Sequence, residues 1–369
     1  MLPIIAVLAA AVATAPAETP GDRPRFREAG LAVGALPTGP LNAITDVPGV
    51  RVGQVTRQDG DRIRTGVTAI VPHPGNVFQD KLPAAFYRAN GFGKFAGSPQ
   101  IDELGEIETP IVLTNTLNVA EGIAATVEWT LAQPGNAAVR SVNAVVGETN
   151  DSYLNDIRGR HVTKADVTAA IAAAASGPVA EGSVGAGTGT QAFQFKGGIG
   201  TSSRRLASGW TVGVLVQTNY GGRPTILGVP IPPAPARTAD ITTSVGGCSI
   251  VMIVATDAPL SDRNLGRLAK RAIVGLARTG SIMENGSGDF VLAFSTAAEV
   301  RRTPARRTAV ATVADVPNDG MNDLFVGVAD ATEEAIYNAM FKATAVTGNG
   351  HRLEPIDLRT AIPLLKGRR

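Results

Sequence analysis

The sequence predicts a layered α/β fold, and three observations carry that prediction. Short apolar runs rich in β-branched residues alternate with helical patterns along most of the chain, the pattern of sheets covered by helices. The 369 residues are 44% hydrophobic but only 5% aromatic and 18% charged, so the layers are built mainly from Gly, Ala and Val, which suits close packing. A chain above about 300 residues buries roughly three-quarters of its unfolded surface, enough for one large domain or two ordinary ones. No internal repeat is visible.

Each element follows from a local pattern. Residues 1–17, MLPIIAVLAAAVATAPA, carry an apolar run too short to span a bilayer, which takes about 18 to 20 residues. They end on Ala15-Pro16-Ala17, a small-x-small cleavage site. The expectation is a secretory signal whose n-region lacks Lys and Arg, with the mature chain beginning at Glu18. A periplasmic or secreted location follows from it. Residues 18–40 are rich in Pro, Gly and Arg and read as an extended arm.

GVTAIVP (66–72) and TPIVLTN (109–115) are continuous apolar runs bounded by Gly, Pro or Asn, the mark of buried strands. Val119, Ile123, Val127 and Leu131 recur at every fourth position, a helix face that stops before Pro134-Gly135. SVNAVVGET (141–149) predicts a strand, and 164–175 an Ala-rich helix ended by Gly177-Pro178. WTVGVLVQTN (210–219) predicts a strand closed by the turn Tyr220-Gly221-Gly222. A Gly- and Pro-rich connector occupies 221–247. The strand SIVMIVATD (249–257) follows, then a helix with Leu265, Leu268, Ala269, Ala272, Ile273 and Leu276 on one face. Strands at 289–295 and 308–313 and a helix over 322–345 complete the prediction.

Charge and composition exclude several functions. The net charge is +2 with no basic face, so nucleic acid is not the expected partner. One Cys precludes an intramolecular disulfide and a Cys-based metal cluster. His73, His161 and His351 lie far apart and lack zinc-site spacing. No metal or other cofactor is expected. After residue 17 no stretch is long and apolar enough for a membrane helix.

Four features carry chemistry. The first is Gly246-Gly247-Cys248-Ser249, between the Pro-rich connector and a strong strand. Its ordinary reading is a loop-to-strand junction. Its functional reading is a cleavable bond, because cleavage before Ser249 gives that residue both a hydroxyl and an α-amine. An α-amine has a pKa of about 8, so part of it is neutral near pH 7 and can serve as base for its own hydroxyl. The second is GSGDF, where Ser287 and Asp289 stand two apart on a strand and so share a face. They can relay a proton or hold the Ser249 amine, or they are a turn satisfying its own backbone. The third is VVGETND, which places Glu148 to bind a substrate amine and Asn150 to donate a hydrogen bond. The fourth is Asn219 at a strand end, whose amide can donate to an oxyanion, a contact worth about 3–4 kcal/mol. A strand-end turn residue is the ordinary reading of each of these two. GAGTGT (185–190) imitates a phosphate loop, but it lacks the Lys-Ser/Thr pair, and Thr190 stands where a Gly is needed.

These features occur together and in order. With ITDVPGVRVG (44–53), TGVTAI (65–70), ETPIVLTNT (108–116), KGGIGTSSR (196–204), VGVLVQTNYGG (212–222), VATDAPL (254–260) and GSGDFVLAFST (286–296), the chain resembles the self-cleaving serine aminopeptidases. That family includes the L-aminopeptidase/D-amidase/D-esterases and the β-peptidyl aminopeptidases.

The resemblance implies an αββα sandwich like that of N-terminal-nucleophile hydrolases but with different connectivity. It implies autocleavage between Cys248 and Ser249, giving fragments 18–248 and 249–369 of one interleaved domain and a homo-oligomer of cleaved αβ pairs. It casts Ser249 as nucleophile, Ser287 and Asp289 as its assistants, Asn219 as oxyanion donor and Glu148 as receiver of the substrate amine. Relatives carry Glu where Asp289 stands, and L-aminopeptidase-like members carry Tyr where Asn150 stands, so that Tyr contribution is absent or replaced. NGFGK (90–94) is similar to the β-peptidyl branch. The implied substrate is a short peptide or amide with an N-terminal β-amino acid. Three alternatives stay open: α-amino substrates, an ornithine acetyltransferase-like acyltransferase, which would use Thr in place of Ser249, and a non-catalytic small-molecule binder.

Overall fold

Two β-sheets lie face to face with helices on their outer sides in a computed structural model that describes residues 23–232 and 248–367. The expected signal at 1–17 and the Gly246-Gly247 pair lie outside the described residues.

The chain builds the two sheets alternately. It starts with β1 (Arg51–Asp59) and β2 (Ile63–Val71), lays down β3 (Leu82–Gly91) in the other sheet, then returns for the short β4 (Phe95–Ala96). Helix α1 (Ser98–Leu104), β5 (Glu106–Ile107), β6 (Ile111–Asn115), α2 (Val119–Leu131), β7 (Val145–Thr149) and α3 (Lys164–Ala172) follow. A small hairpin of β8 (Gln191–Ala192) and β9 (Phe195–Lys196) leads to β10 (Ile199–Arg205) and β11 (Thr211–Asn219). A second hairpin, β12 (Thr225–Ile226) and β13 (Val229–Pro230), precedes β14 (Cys248–Thr256), α4 (Asp262–Arg278) and β15 (Ser287–Ser295). Helices α5 (Pro304–Arg307) and α6 (Asn322–Lys342), a hairpin of β16 (Val346–Gly348) and β17 (His351–Leu353), and α7 (Leu358–Lys366) end it.

One sheet runs β1-β2-β6-β7-β4 and the other β10-β11-β14-β15-β3-β5. Ile70, Ile111, Leu113 and Val145 of the first meet Leu215, Val251, Ile253, Phe290 and Leu292 of the second in a shared core. Helices α2 and α3 cover the outer face of the first sheet through Ala125, Val167 and Ala170. Helices α4 and α6 cover the second through Leu265, Leu268, Leu276, Val328 and Ile336. This is the αββα order. Strands β14 and β15 are covered on both faces and buried throughout, which is why their middles, 250–255 and 290–294, are continuous apolar runs.

The strand order puts both sides of 248/249 into one sheet. Strands β14 and β15 sit between β11 and β3 in one sheet, so residues on either side of 248/249 share one core. The N-terminal arm reinforces this. Arg23 Nε donates to the Phe341 carbonyl (2.8 Å), and Arg27 and Arg204 pair with the buried Glu334 of α6 at 2.9 and 2.7 Å.

The structure corrects two expectations. Residues 308–313 form no strand, and Val310 and Val313 are exposed. TAVATV has β-propensity, but such propensity is expressed only against a neighbouring strand. Helix α2 does form, yet Ile123 and Leu131 of its predicted face are exposed while Gly122, Ala125, Thr126 and Thr130 are buried. A four-residue spacing drifts about 40° per step around a 3.6-residue turn. The face that meets the sheet is the one whose small residues permit close approach. Gly122 lies so close to Val146 that a Cβ there would fall 2.8 Å from its methyl.

Candidate active site

The site lies at one end of the six-stranded sheet, where three central strands bring their polar residues level. Ser249 is the second residue of β14 and stands opposite Asn219 of β11 on one side and Gly288 of β15 on the other. The row continues to Gly91 of β3. The middles of β11, β14 and β15 are mainly apolar, and their ends at this row carry Thr218, Asn219, Ser249, Ser287 and Asp289. Ser249, Asn219, Ser287 and Asp289 are all buried.

Alternation sorts these side chains onto two faces. Val251, Ile253 and Ala255 point into the core between the sheets, whereas Cys248, Ile250, Met252 and Val254 point toward the helices. Ser249 and its partner Asn219 therefore belong to the inter-sheet face. Ser287 and Asp289, level with Cys248 and Ile250, belong to the helix-side face with Val291 and Ala293. The two pairs meet across the strand backbone.

The hydroxyl of Ser249 donates to the carbonyl oxygen of Cys248, the group on which cleavage would act. The Gly288 N–H donates to Ser249 Oγ at 3.2 Å. Asn219 Oδ1 accepts the Gln191 N–H at 3.2 Å, which fixes the orientation of that amide. Behind Gln191, the buried amine of Lys196 holds the carbonyls of Gly187 and Gly197 at 2.9 and 2.7 Å. Burial pulls this amine down to about 7.

On the helix-side face the Ser287 hydroxyl donates to Asp289 Oδ1 at 2.8 Å, while Asp289 Oδ2 is buried without a hydrogen-bond partner among the described residues. Burial pushes the Asp289 carboxyl up to about 6, opposed by the bond from Ser287 and by the Asn90 amide, with the Glu284 charge adding to the rise. Glu284 accepts the thiol of Cys248. Asn90, at the end of β3, donates to the carbonyls of Met283 and Glu284 and ties this loop to the sheet.

Glu148 reaches the site from the other sheet. It is buried at the end of β7, where it accepts the Lys94 N–H (2.9 Å), the Lys94 ammonium (3.3 Å) and the Thr116 hydroxyl. The loop after β3 joins it to β15, the strand beside Ser249. Phe92 N–H donates to the Ser287 carbonyl at 3.1 Å, and a Cβ on Gly93 would fall 3.1 Å from Glu148 Oε1 and 3.2 Å from the Phe290 ring. Glycine at 93 is what lets this loop pass between the two sheets' contributions.

Of the predicted site residues, Ser249, Asn219, Ser287, Asp289, Cys248 and Glu148 thus converge. Asn150 does not join them by any described bond. Its Oδ1 accepts the Ser152 N–H at 2.9 Å, an Asx turn at the strand end. Sequence reasoning passed over Lys94, Thr116, Glu284 and the Gly288 amide. Lys94 lies in NGFGK and Gly288 in GSGDF, so the motifs contained them, but only the fold shows what they touch.

The GAGTGT segment is not a phosphate cradle. The amides of Gly185 and Ala186 donate to the Thr56 and Thr68 hydroxyls, and those of Gly187 and Thr188 to the Val184 and Gly185 carbonyls. A phosphate loop needs such donors directed at a ligand.

Comparison with known proteins agrees with this geometry. Residues 42–353 match the model of peptidase family S58. The β-peptidyl aminopeptidase BapA of Sphingosinicella microcystinivorans is 40% identical over 363 residues, spanning 90% of this chain and 89% of the relative. The structure of a β-aminopeptidase from Burkholderia sp. superposes with a TM-score of 0.82 at 42% identity, covering 93% of this chain and 98% of that one. An L-aminopeptidase D-Ala-esterase/amidase from Ochrobactrum anthropi superposes with a TM-score of 0.83 at 36% identity, covering 94% and 99%. That structure is described as a prototype of the serine aminopeptidases and a variant of the Ntn-hydrolase fold.

Proposed function

This chain belongs to peptidase family S58, and on that premise we propose that it is a self-activated serine aminopeptidase that removes N-terminal β-amino acids from short peptides and amides. The observation that carries the reading is the row Asn219–Ser249–Gly288 across adjacent strands, with the Ser249 hydroxyl on the Cys248 carbonyl. The β-amino preference is supported by the similarity to BapA and to the Burkholderia enzyme.

Activation proceeds by attack of Ser249 Oγ on the Cys248 carbonyl carbon. The peptide C–N bond breaks, its nitrogen becomes the Ser249 α-amine, and an ester links Cys248 to the hydroxyl. Water hydrolyses that ester, leaving a carboxylate on Cys248 and restoring the Ser249 hydroxyl. The new amine emerges between positions 248 and 249, level with Ser287. From there the Ser287–Asp289 pair can hold it, while the Ser249 hydroxyl stays on the inter-sheet face.

In the mature enzyme the neutral amine takes the hydroxyl proton as Oγ attacks the substrate carbonyl. Asn219 donates to the developing oxyanion. Glu148 holds the substrate's ammonium, which fixes the distance from the free amine to the bond that is cut. The leaving amine departs with a proton, and water resolves the acyl-enzyme.

Turnover of β-alanyl and α-alanyl p-nitroanilides tests the substrate. Faster turnover of the β-alanyl compound supports the proposal. Equal or faster turnover of the α-alanyl compound favours the second reading, α-amino substrates, which the Ochrobactrum enzyme's similarity supports. The acyltransferase alternative lacks support beside the S58 match, and the bonded amides of GAGTGT argue against a non-catalytic small-molecule binder that uses that loop.

Export to the periplasm or outside the cell is part of the proposal, supported by the apolar segment ending at Ala17. So is a homo-oligomer of cleaved αβ pairs, which light scattering of the purified enzyme tests.

A further inference from the structure

The far end of the second sheet carries a cavity that the peptidase chemistry does not use. Strand β3 runs from Leu82, paired with Ile107, to Gly91, paired with Gly288. At about 3.3 Å per residue its two ends lie about 30 Å apart. Beside the Leu82 end is a cavity of about 400 Å³ lined by Glu106, Val300, Arg301, Arg302, Arg306, Arg307, Ala311 and Val313.

Four guanidinium groups in seven residues meet here, and the fold has already fixed them. Arg301 Nη2 donates to the Thr296 carbonyl, Arg306 Nη1 to those of Ala298 and Arg301, and Arg307 Nε and Nη2 to those of Arg302 and Gln79. Carbonyls orient a guanidinium without cancelling its charge. Arg302 alone of the four has carboxylate partners among the described residues, Glu106 at 3.7 Å and Asp262 at 3.3 Å. Glu106 is shared with Lys81 at 3.0 Å, so it offers little to the other three. Arg301 Nε is buried with no hydrogen-bond partner among the described residues. Burial lowers the pKa of nearby His73, opposed by the Asp80 carbonyl and charge and aided by the Arg301 charge.

Like charges gathered in a concavity repel one another and focus a positive potential into it. Guanidinium forks match the oxygen spacing of phosphate and similar groups. The cavity is much larger than a bare inorganic ion and has Val300, Ala311 and Val313 on its wall. We propose that this arginine-lined cavity binds a small molecule that carries a tetrahedral oxyanion, phosphate or sulfate, on a partly apolar body. The site lies apart from the peptidase centre and does not depend on the peptidase proposal.

The test is calorimetric titration of the intact enzyme with phenyl phosphate, phenyl sulfate and benzoate, repeated on R306Q and R307Q. Both arginines are exposed, and a thermal unfolding midpoint equal to wild type checks that each variant is folded. Saturable binding of phenyl phosphate or phenyl sulfate, weakened at least tenfold in either variant and falling with added salt, supports the proposal. The tighter of the two identifies the anion. Absence of saturable binding, equal binding in wild type and both variants, or tighter binding of benzoate than of either tetrahedral anion overturns it.

Discussion

Asn219 and Ser249 stand directly opposite each other on the antiparallel strands β11 and β14. Because paired residues on neighbouring strands share a face, both side chains look into the space between the sheets. Asn219 is further pinned by the Gln191 N–H at its Oδ1, so its NH2 group has a set direction. The proposed nucleophile and the proposed oxyanion donor are thus set against each other by strand register.

Asn219→Ala should lower kcat by about a hundred- to a thousandfold, the loss of roughly 3–4 kcal/mol associated with an oxyanion donor. KM should move little, because the contact forms mainly in the transition state. Steady-state kinetics on β-alanyl p-nitroanilide provide the check. A kcat within a fewfold of wild type would remove Asn219 from the oxyanion hole.

Glu148→Gln should raise KM about ten- to a hundredfold, since a charge-assisted bond contributes about 1.5–3 kcal/mol. The Gln carbonyl can keep the Lys94 N–H, and its NH2, at the position of the other carboxylate oxygen, can donate to the Thr116 hydroxyl once that hydroxyl turns, so the fold should hold. An unchanged KM would contradict the role of Glu148 in amine recognition.

Lys94→Met should act in the opposite direction. The Lys94 ammonium lies 3.3 Å from Glu148 Oε1, in the place proposed for the substrate's ammonium. The Lys94 side chain is half exposed and the pair is worth at most about 1 kcal/mol. Removing it should lower KM about two- to fivefold with kcat unchanged. A higher KM would show that Lys94 holds Glu148 in place and does not compete for it.

Asp289→Asn should stabilise the uncut precursor at neutral pH. Its folded pKa, about 6, is raised above the usual 3.8, so the folded state binds the proton more tightly than the unfolded state. The ionised carboxyl therefore costs stability increasingly from about pH 4 to pH 6 and by a constant amount above. In an S249A background, which keeps the 248/249 bond, D289N should add about 2–3 kcal/mol at pH 8 and little at pH 4. Urea unfolding at the two pH values measures it, and an equal effect at both would show that Asp289 is not a strained acid.

Much of the fold was legible because its central strands are buried on both faces. The runs ending in Asn115, Thr149 and Asn219 and the run after Cys248 read as strands, and all four form. Strand β3 was not legible: it begins with Leu82-Pro83 and carries Arg88 and Asn90, a mixed pattern that only its seat beside β15 explains. The 308–313 segment failed for the converse reason, with strand-forming residues and no strand to pair with. The motifs contained the candidate site residues Ser249, Asn219, Ser287, Asp289 and Glu148. Their division between two sheet faces depends on the register of β14 against β15, and the Lys94–Glu148 contact on a loop between sheets. Neither is encoded in spacing along the chain. Asn150 looked like a donor by position and is held in a local turn.

The most direct test of the central claim is the intact mass and N-terminal sequence of the purified wild-type protein beside Ser249→Ala. Two fragments are expected in wild type, the smaller beginning at Ser249 and ending at Arg369, and a single inactive chain in the variant. An uncut wild-type chain with full aminopeptidase activity, or a fragment beginning at any other residue, would contradict it.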